Sequence, residues 1–457
     1  MPFAIDLVAA ATVLGESKAA KSAAEFILEN SSKTSLSAQR LARNLLGIED
    51  QNEERFEHHT RLQIIHDLKK LKARRLSQAR NAFVWSDLAR LYVLLGQNEQ
   101  AHQAMRVALS LAPMERFVVR SATRFFLHSN EAERALHLLR SNPRTPIDPW
   151  LTAAELSVSS ILDKTPKFAR RAQELLKSAN VPAFHTSELA SALGSLEMFD
   201  GNNRKANKLF ITSLKDPTDN SLAQAVWASK RTGLGEVNVN LLLNANVSEA
   251  KTFHAFNHAE WSDVIVNANT WAHYEGFSAR PRVLASSVAA SLLGDLELAE
   301  EIGRNGLMTN PGHPALINNI AFAMINAGKA TEAMKFLETV NKHVITPTDA
   351  ICLVATAGLA YYRLGNPTEG KRHYDLAIEA ATRQNNRVLR TTARLYLARE
   401  RVLQNDPEGL KEFRKAHDEA KKFQDTSLPF VAERLAKQVI DVEIKKTGNE
   451  VKNITLK

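Results

Sequence analysis

The sequence predicts an all-α chain: a right-handed α-solenoid of antiparallel helix pairs. Three observations carry this. Ala and Leu dominate while alternating Val/Ile/Thr runs are scarce, a helical composition. Small residues recur on a fixed ruler: Ala89, Ala101, Ala108 and Pro113 in one window, Ser287, Ala299, Gly306 and Pro311 in another. A glycine stands five residues before the second mark in five windows, at Gly96, Gly201, Gly294, Gly328 and Gly365.

The ruler has a steric cause. Two antiparallel helices approach closely only where small side chains face each other, and the third small site lets the next pair nest. The glycine ends the first helix, where a left-handed residue strains any Cβ. The proline after the second helix cannot continue it. Large residues such as Trp85, Leu88, Tyr92 and Met105 fill the space around the small ones.

In chain order, residues 1–80 read as a helical region without the ruler, either degenerate repeats or a separate cap. It is broken by "ENSSKTS" (29–35) and the acidic "GIEDQNEE" (47–54). Residues 82–424 form the repeat array, divergent near 220–278. Gly194, Ala206 and Ser213 repeat the ruler, as do Gly358, Gly370 and Ala377, and Ala321 and Ala333 with Val340 at the third mark. "LPFVAERLAKQVIDVEIKK" (428–446) reads as the polar-faced cap that solenoid ends need, within a C-terminal capping region 426–446, and 447–457 as a tail.

The window 85–113 carries Trp85, Leu88, Ala89, Tyr92, Gly96, Ala101, Ala108 and Pro113 at the consensus spacing of the tetratricopeptide repeat, which it resembles. The match is strong for 82–115 and 280–347 and good for 187–218 and 351–383. It is looser for 116–146, 150–180, 248–278 and 387–424, and slight for 220–246. With the loose units counted, it covers most of 82–424.

Composition bounds the rest. Hydrophobic residues at 44% and charged residues at 24% exclude a disordered chain. The lone Cys352 excludes an intrachain disulfide and a cysteine-based zinc site, and suits a reducing compartment. The start, "MPFAIDLVAAATVLGESKAAK", lacks a basic region before its apolar stretch and is interrupted by Asp6, so it reads as an ordinary helix. No run reaches the roughly 18 apolar residues of a membrane span, and a cytoplasmic setting is expected. The formal net charge of +9 permits an acidic or nucleic-acid partner without requiring one.

No catalytic motif emerges. "NAGKATEA" (326–333) lacks the first Gly and the Ser/Thr of a phosphate loop, and no GxGxxG or GxSxG occurs. His254 and His258 stand four apart, as zinc ligands on one helix face would, but Ala255 stands where a zincin has Glu. His58, His59 and His66 form a loose group without an evident carboxylate partner. Cys352 reads as a packed or groove-facing thiol. No catalytic residue, cofactor or metal is expected.

Two charge features stand out. "DLKKLKARRLSQAR" (67–80) sets Lys69, Lys70, Lys72, Arg74, Arg75 and Arg80 against Asp67, reading as a solvated connecting helix or a docking surface for acidic protein or phosphates. Arg387, Arg390, Arg394 and Arg401, spaced three, four and seven apart, share one helix face.

The resemblance implies that the first helices of successive repeats line a concave groove that receives a peptide or protein. Carrying the groove-facing positions over gives Arg90, then Arg120, Arg124 and His128, then Asn318, Asn319 and Asn326, then Tyr362 and Arg363, followed by Arg394 and Arg401. Asn suits backbone recognition, and Arg suits carboxylates. An acidic segment is the expected ligand. Of the family's carboxylate clamp Asn319 is present, but Leu284 and Val288 occupy other places, which counts against chaperone-tail binding. The expected function is a non-enzymatic scaffold or adaptor binding a partner protein in its groove. Alternatives are a regulatory subunit of a separately encoded effector such as a nuclease or toxin, and a basic repeat protein contacting nucleic acid.

Overall fold

The computed structural model describes residues 3–5, 7, 8, 11, 17–31, 34, 36–46, 61–178, 181–243, 247–423 and 427–447. The acidic stretch 47–54, His58, His59 and residues 448–457 lie outside the described residues, as do parts of 1–16 and of 29–35. Among the described residues every regular element is helical. The fold is an all-α helical-repeat solenoid, divided into two compact units: 1–257 with 270–278, and 258–269 with 279–457.

The first unit begins with α1 (Lys18–Glu29), α2 (Leu36–Leu46) and α3 (Arg61–Ser77). Hairpins follow: α4 (Ala82–Leu94) with α5 (Asn98–Leu111), α6 (Arg116–His128) with α7 (Ala132–Ser141), and α8 (Pro149–Ile161) with α9 (Ala169–Lys177). Next come α10 (Ala183–Phe199) with α11 (Asn203–Ser213), and α12 (Asp219–Thr232) with α13 (Ser248–Asn257). First helices α4, α6, α8, α10 and α12 pack side by side, each backed by its second helix. The ruler residues Ala89, Ala101 and Ala108 are fully buried among Leu88, Leu91, Met105, Phe125 and Leu139. The N-terminal helices have their own small core, Ile5, Val8, Ala24, Ile27, Ala38 and Ala42, joined to α4 through Phe83.

Helix α14 (Trp261–Tyr274) contributes residues to both units. The second unit continues with α15 (Arg280–Val288), α16 (Leu296–Thr309), α17 (Pro314–Asn326), α18 (Ala330–Leu337), α19 (Pro347–Arg363), α20 (Pro367–Arg383), α21 (Arg387–Leu403), α22 (Gly409–Ala420) and α23 (Leu428–Thr447). Here α15, α17, α19 and α21 are the adjacent first helices.

Local signals set the ends. Asp148 accepts from the Trp150 and Leu151 amides at the start of α8, and Thr218 with Ser221 and Thr346 with Asp349 form capping boxes. Pro149, Pro314, Pro347 and Pro367 sit in first turns. First helices end on left-handed residues: Gly96, Gly201, Gly294, Gly328 and Gly365, but also Asn130, Asp163 and Asn405 with φ of 60°, 51° and 60°. Asn and Asp tolerate this region better than other side chains, so the less regular repeats keep the turn without the glycine.

A π turn, Ala289–Leu293, closes α15. Its extra residue moves the buried small position from Ser287, which is half-buried, to Ser286 at 0% exposure.

Candidate partner-binding face

A polar stripe of the first unit is built on α6. Arg116, Arg120, Arg124 and His128 recur every four residues and therefore share a face. Each has a partner within the chain. Arg116 Nε donates to Asp148 Oδ2 at 2.7 Å with both side chains buried. Burial pushes the Arg116 guanidinium down and Asp148 opposes this. Arg120 donates to Glu188 at 2.7 Å and lies 4.6 Å over the Trp150 ring. Glu188 also accepts from the Thr218 hydroxyl.

Arg124 meets Glu275 at 3.3 Å. Glu275 raises its already high pKa most, burial opposes this, and the charges of Glu188, Glu249 and Asp219 add to it; the side chain is still 49% exposed. Asp219 accepts from the Glu249 and Ala250 amides at 3.0 and 2.9 Å. Burial nevertheless pushes its carboxyl up to about 6.

The segment after α14 lies against this stripe. His128 Nδ1 donates to the Phe277 carbonyl at 2.8 Å, and Phe277 packs on the rings of Phe125 and His128. Gly276 comes so near α4 that a Cβ there would stand 2.7 Å from Leu94. Arg124 and His128 thus hold residues of their own chain. Arg90, half-buried on α4, makes no ion pair among the described residues.

In the second unit, Asn318 accepts from the Thr356 hydroxyl at 2.8 Å, and Asn319 donates to the Val283 carbonyl and Ser286 Oγ. Both tie adjacent first helices together. Asn326 donates to the Phe322 carbonyl and accepts from Arg399 at 3.4 Å. Tyr362 is buried with its phenol pushed up to about 12, mainly by burial, and its ring fills the space left by Gly370. Arg363 donates to Glu400 at 3.1 Å.

The turn at Asn405 sets the register of α21. Arg394 and Arg390 reach Glu419 of α22 at 3.5 Å, and Arg401 is held by Asp406 at 2.7 Å and by Glu412. The arginine of α21 with the most buried side chain is Arg399. It is buried, bonded to Glu400 at 2.8 Å and to Asn326, and donates to Gln438 of α23 at 3.3 Å. Arg399 is not legible in the sequence, because the turn that follows its helix carries Asn405 in place of the glycine found in the regular repeats.

The other sequence features have structural occupations. Lys72 and Arg75 of α3 lie over the Tyr92 and Trp85 rings at 5.2 and 5.4 Å, and Arg74 donates to the Thr34 carbonyl, while Lys69, Lys70 and Arg80 stay exposed. Arg387 covers the Phe423 ring. His254 and His258 do not share a helix, because α13 ends at Asn257 and His258 begins the turn to Ala259 at φ 59°. No group of three metal-ligating side chains gathers among the described residues. Cys352 is half-buried, with its thiol pushed up to about 11 by burial and by Asp349. No helix among the described residues is long and apolar enough to cross a membrane.

These hairpins, their left-handed turns and a stripe of first-helix polar residues define a tetratricopeptide-like helical-repeat protein. Among solved structures the chain is similar to one in the APC/C hetero-tetramer Cut9–Hcn1, at 14% identity and TM-score 0.50, covering 95% of this chain and 80% of that one. It is also similar to yeast Tom70, at 13% identity, TM-score 0.38 and coverage of 98% and 96%. Human IFIT1, solved as a dimer with PPP-AAAA, aligns at 12% identity, TM-score 0.39 and coverage of 96% and 94%. The likeness is one of fold. No family model matches the chain, and no curated protein does.

Proposed function

We propose that the chain is a non-enzymatic scaffold that binds a partner protein against the inner face of its first unit, through an acidic segment that engages Arg90 and Arg124. The observation that carries this is the state of Arg124: half-exposed, with one ion pair, to Glu275 at 3.3 Å. An incoming carboxylate can take the place of Glu275, whereas Arg116 and Arg120 sit in tighter and more buried pairs at 2.7 Å. Asn318, Asn319, Asn326, Tyr362, Arg363, Arg394 and Arg401 remain secondary contacts in this proposal. A cytoplasmic setting fits the single cysteine.

Affinity capture from the native cell, with Arg90→Glu and Arg124→Glu as variants, tests the assignment. Loss of the partner from folded variants is expected, and unchanged recovery overturns it. Fluorescence anisotropy with labelled Glu-rich and Lys-rich peptides tests the sign. Binding of the Lys-rich peptide alone would assign the site to the carboxylates around Arg124 instead.

A second reading is a regulatory subunit of a separately encoded effector such as a nuclease or toxin, with the N-terminal helices as a second docking module. Their separate core favours it. Deleting residues 1–80 should then remove one partner and leave the array folded. Direct nucleic-acid contact is the weaker reading, since Lys72, Arg74 and Arg75 are engaged within the chain. It predicts binding that falls steeply with salt.

A further inference from the structure

Charge is spread unevenly over the second helices. In α20, Arg372 pairs with Glu369, Lys371 with Asp375 and Arg383 with Glu379, each three or four residues apart. In α22, Lys411, Arg414 and Lys415 are matched in number by Glu412, Asp418 and Glu419. Helices α9 and α11 differ. Together they carry Arg170, Arg171, Lys177, Arg204, Lys205 and Lys208 against the single acid Glu174, and all six cations are exposed. Arg171 pairs with Glu174, and Lys205 with Glu197 of α10. Arg170, Lys177, Arg204 and Lys208 make no ion pair among the described residues.

The two helices are anchored by apolar contacts that need none of these charges. Leu175 and Leu176 of α9 and Leu209 of α11 join one cluster with Leu189 and Leu193 of α10. The cations are left to water. Arg204 and Lys208, four residues apart, repel each other and weaken the helix that carries them. An anion laid over them removes that repulsion.

Ile211 decides which anion. Arg204, Lys208 and Ile211 stand at i, i+4 and i+7, which is one helix face, and Lys215 follows in the turn beyond. Ile211 is 57% exposed beside these cations. Nucleic-acid phosphates are bound by Lys, Arg and polar groups, and they give an isoleucine nothing to pack on. A protein segment supplies both carboxylates and an apolar side chain, matching the apolar centre and polar rim of an interface.

We propose that the exposed face of α11, with the α9 cations beside it, is a second docking surface of the chain. Its occupant is an acidic amphipathic helix of a partner protein. One apolar residue of that helix packs on Ile211, and Asp or Glu a turn to either side meet Arg204 and Lys208. This surface lies on second helices, goes beyond the acidic-segment reading of the α6 stripe, and does not depend on it.

Fluorescence anisotropy on the full chain tests the proposal with three labelled probes. These are a helical peptide with Leu along one face and Glu elsewhere, the same peptide with Ser for Leu, and a DNA duplex. The Leu/Glu peptide should bind at least tenfold more tightly than its Ser counterpart. Arg204→Glu combined with Lys208→Glu should weaken it at least tenfold, and Ile211→Ser should abolish the preference for Leu. All three positions are exposed, so these variants keep the core intact. Equal affinity for the two peptides would leave charge alone and overturn the proposal. So would tighter binding of the duplex, insensitive to Ile211→Ser, which would assign the surface to phosphates. Absence of peptide binding at low salt would overturn it as well. Arg124→Glu should leave the Leu/Glu peptide bound as in the wild type; its loss there would move the peptide to the α6 stripe and refute this surface.

Discussion

Arg116 and Asp148, 32 residues apart, form a buried ion pair at 2.7 Å, and the same carboxylate caps α8 through the Trp150 and Leu151 amides. One side chain therefore fixes both the start of a helix and the way α6 meets it. Asp148→Ala should cost about 3–5 kcal/mol, because it strands a buried guanidinium. Arg116→Met combined with Asp148→Asn removes both charges and keeps the cap. Urea unfolding should place this double variant within about 1–2 kcal/mol of wild type. A double variant as unstable as Asp148→Ala would show that the charge itself is required.

Asp219 gives a pH signature. Its carboxyl is raised from 3.8 to about 6, so folding binds a proton that the unfolded chain releases. Wild-type stability should fall, relative to Asp219→Asn, as pH rises from about 4 through 6, and the difference should level above that. Unfolding midpoints of both proteins between pH 4 and 7.5 check this. A difference flat across that window would place the carboxyl at its ordinary value.

Cys352 should be slow to react. With its thiol pushed up to about 11, the thiolate is scarce at pH 8, and half-burial limits access. Thiol titration should run at least tenfold slower in the native protein than in urea. Equal rates would mean an open, unperturbed thiol.

The helix pairs were legible because their cause is local: small residues at Ala89, Ala101 and Ala108 mark where helices touch, and that survives in the string of letters. The turns at Asn130, Asp163 and Asn405 were harder, since Asn and Asp also occur on solvated faces, and only φ near 51–60° reveals their use. Missing Asn405 hid Arg399. The carbonyl of Phe277 lies 149 residues from His128, and Ser291 lies 143 from Arg434. Nothing in a single sequence ties such positions together, so these long-range contacts were not legible. The candidate residues on α6 and α17 bond to distant parts of the same chain, and those partners could not be read.

Ala259 tests the turn argument. It adopts φ 59° with a Cβ, a conformation costing roughly 1–2 kcal/mol for an L residue. Glycine removes that strain but adds about 0.4–1 kcal/mol of unfolded-state entropy. Ala259→Gly should therefore stabilise by about 0.5–1 kcal/mol, and Asn130→Ala should destabilise. Thermal unfolding of both checks the signs, and a destabilised Ala259→Gly would refute the strain.

Gly358 and Gly370 carry the close approach of α19 to α20, and the steric argument is sharpest there. A Cβ on Gly358 would stand 3.0 Å from the Gly370 carbonyl oxygen and 3.0 Å from the Tyr374 ring. The carbonyl is helix backbone and Tyr374 is fully buried, so neither yields without moving the helices apart. Ala is otherwise the better helix former by about 1 kcal/mol, which opposes the clash. Overpacking costs about 1–3 kcal/mol and should win, so Gly358→Ala is expected to lower stability by about 1–2 kcal/mol. Gly358→Ser should be worse, since its hydroxyl needs further room. Unfolding free energies for the two variants decide it, and a stabilised Gly358→Ala would mean that the pair does not pack as closely as the ruler requires.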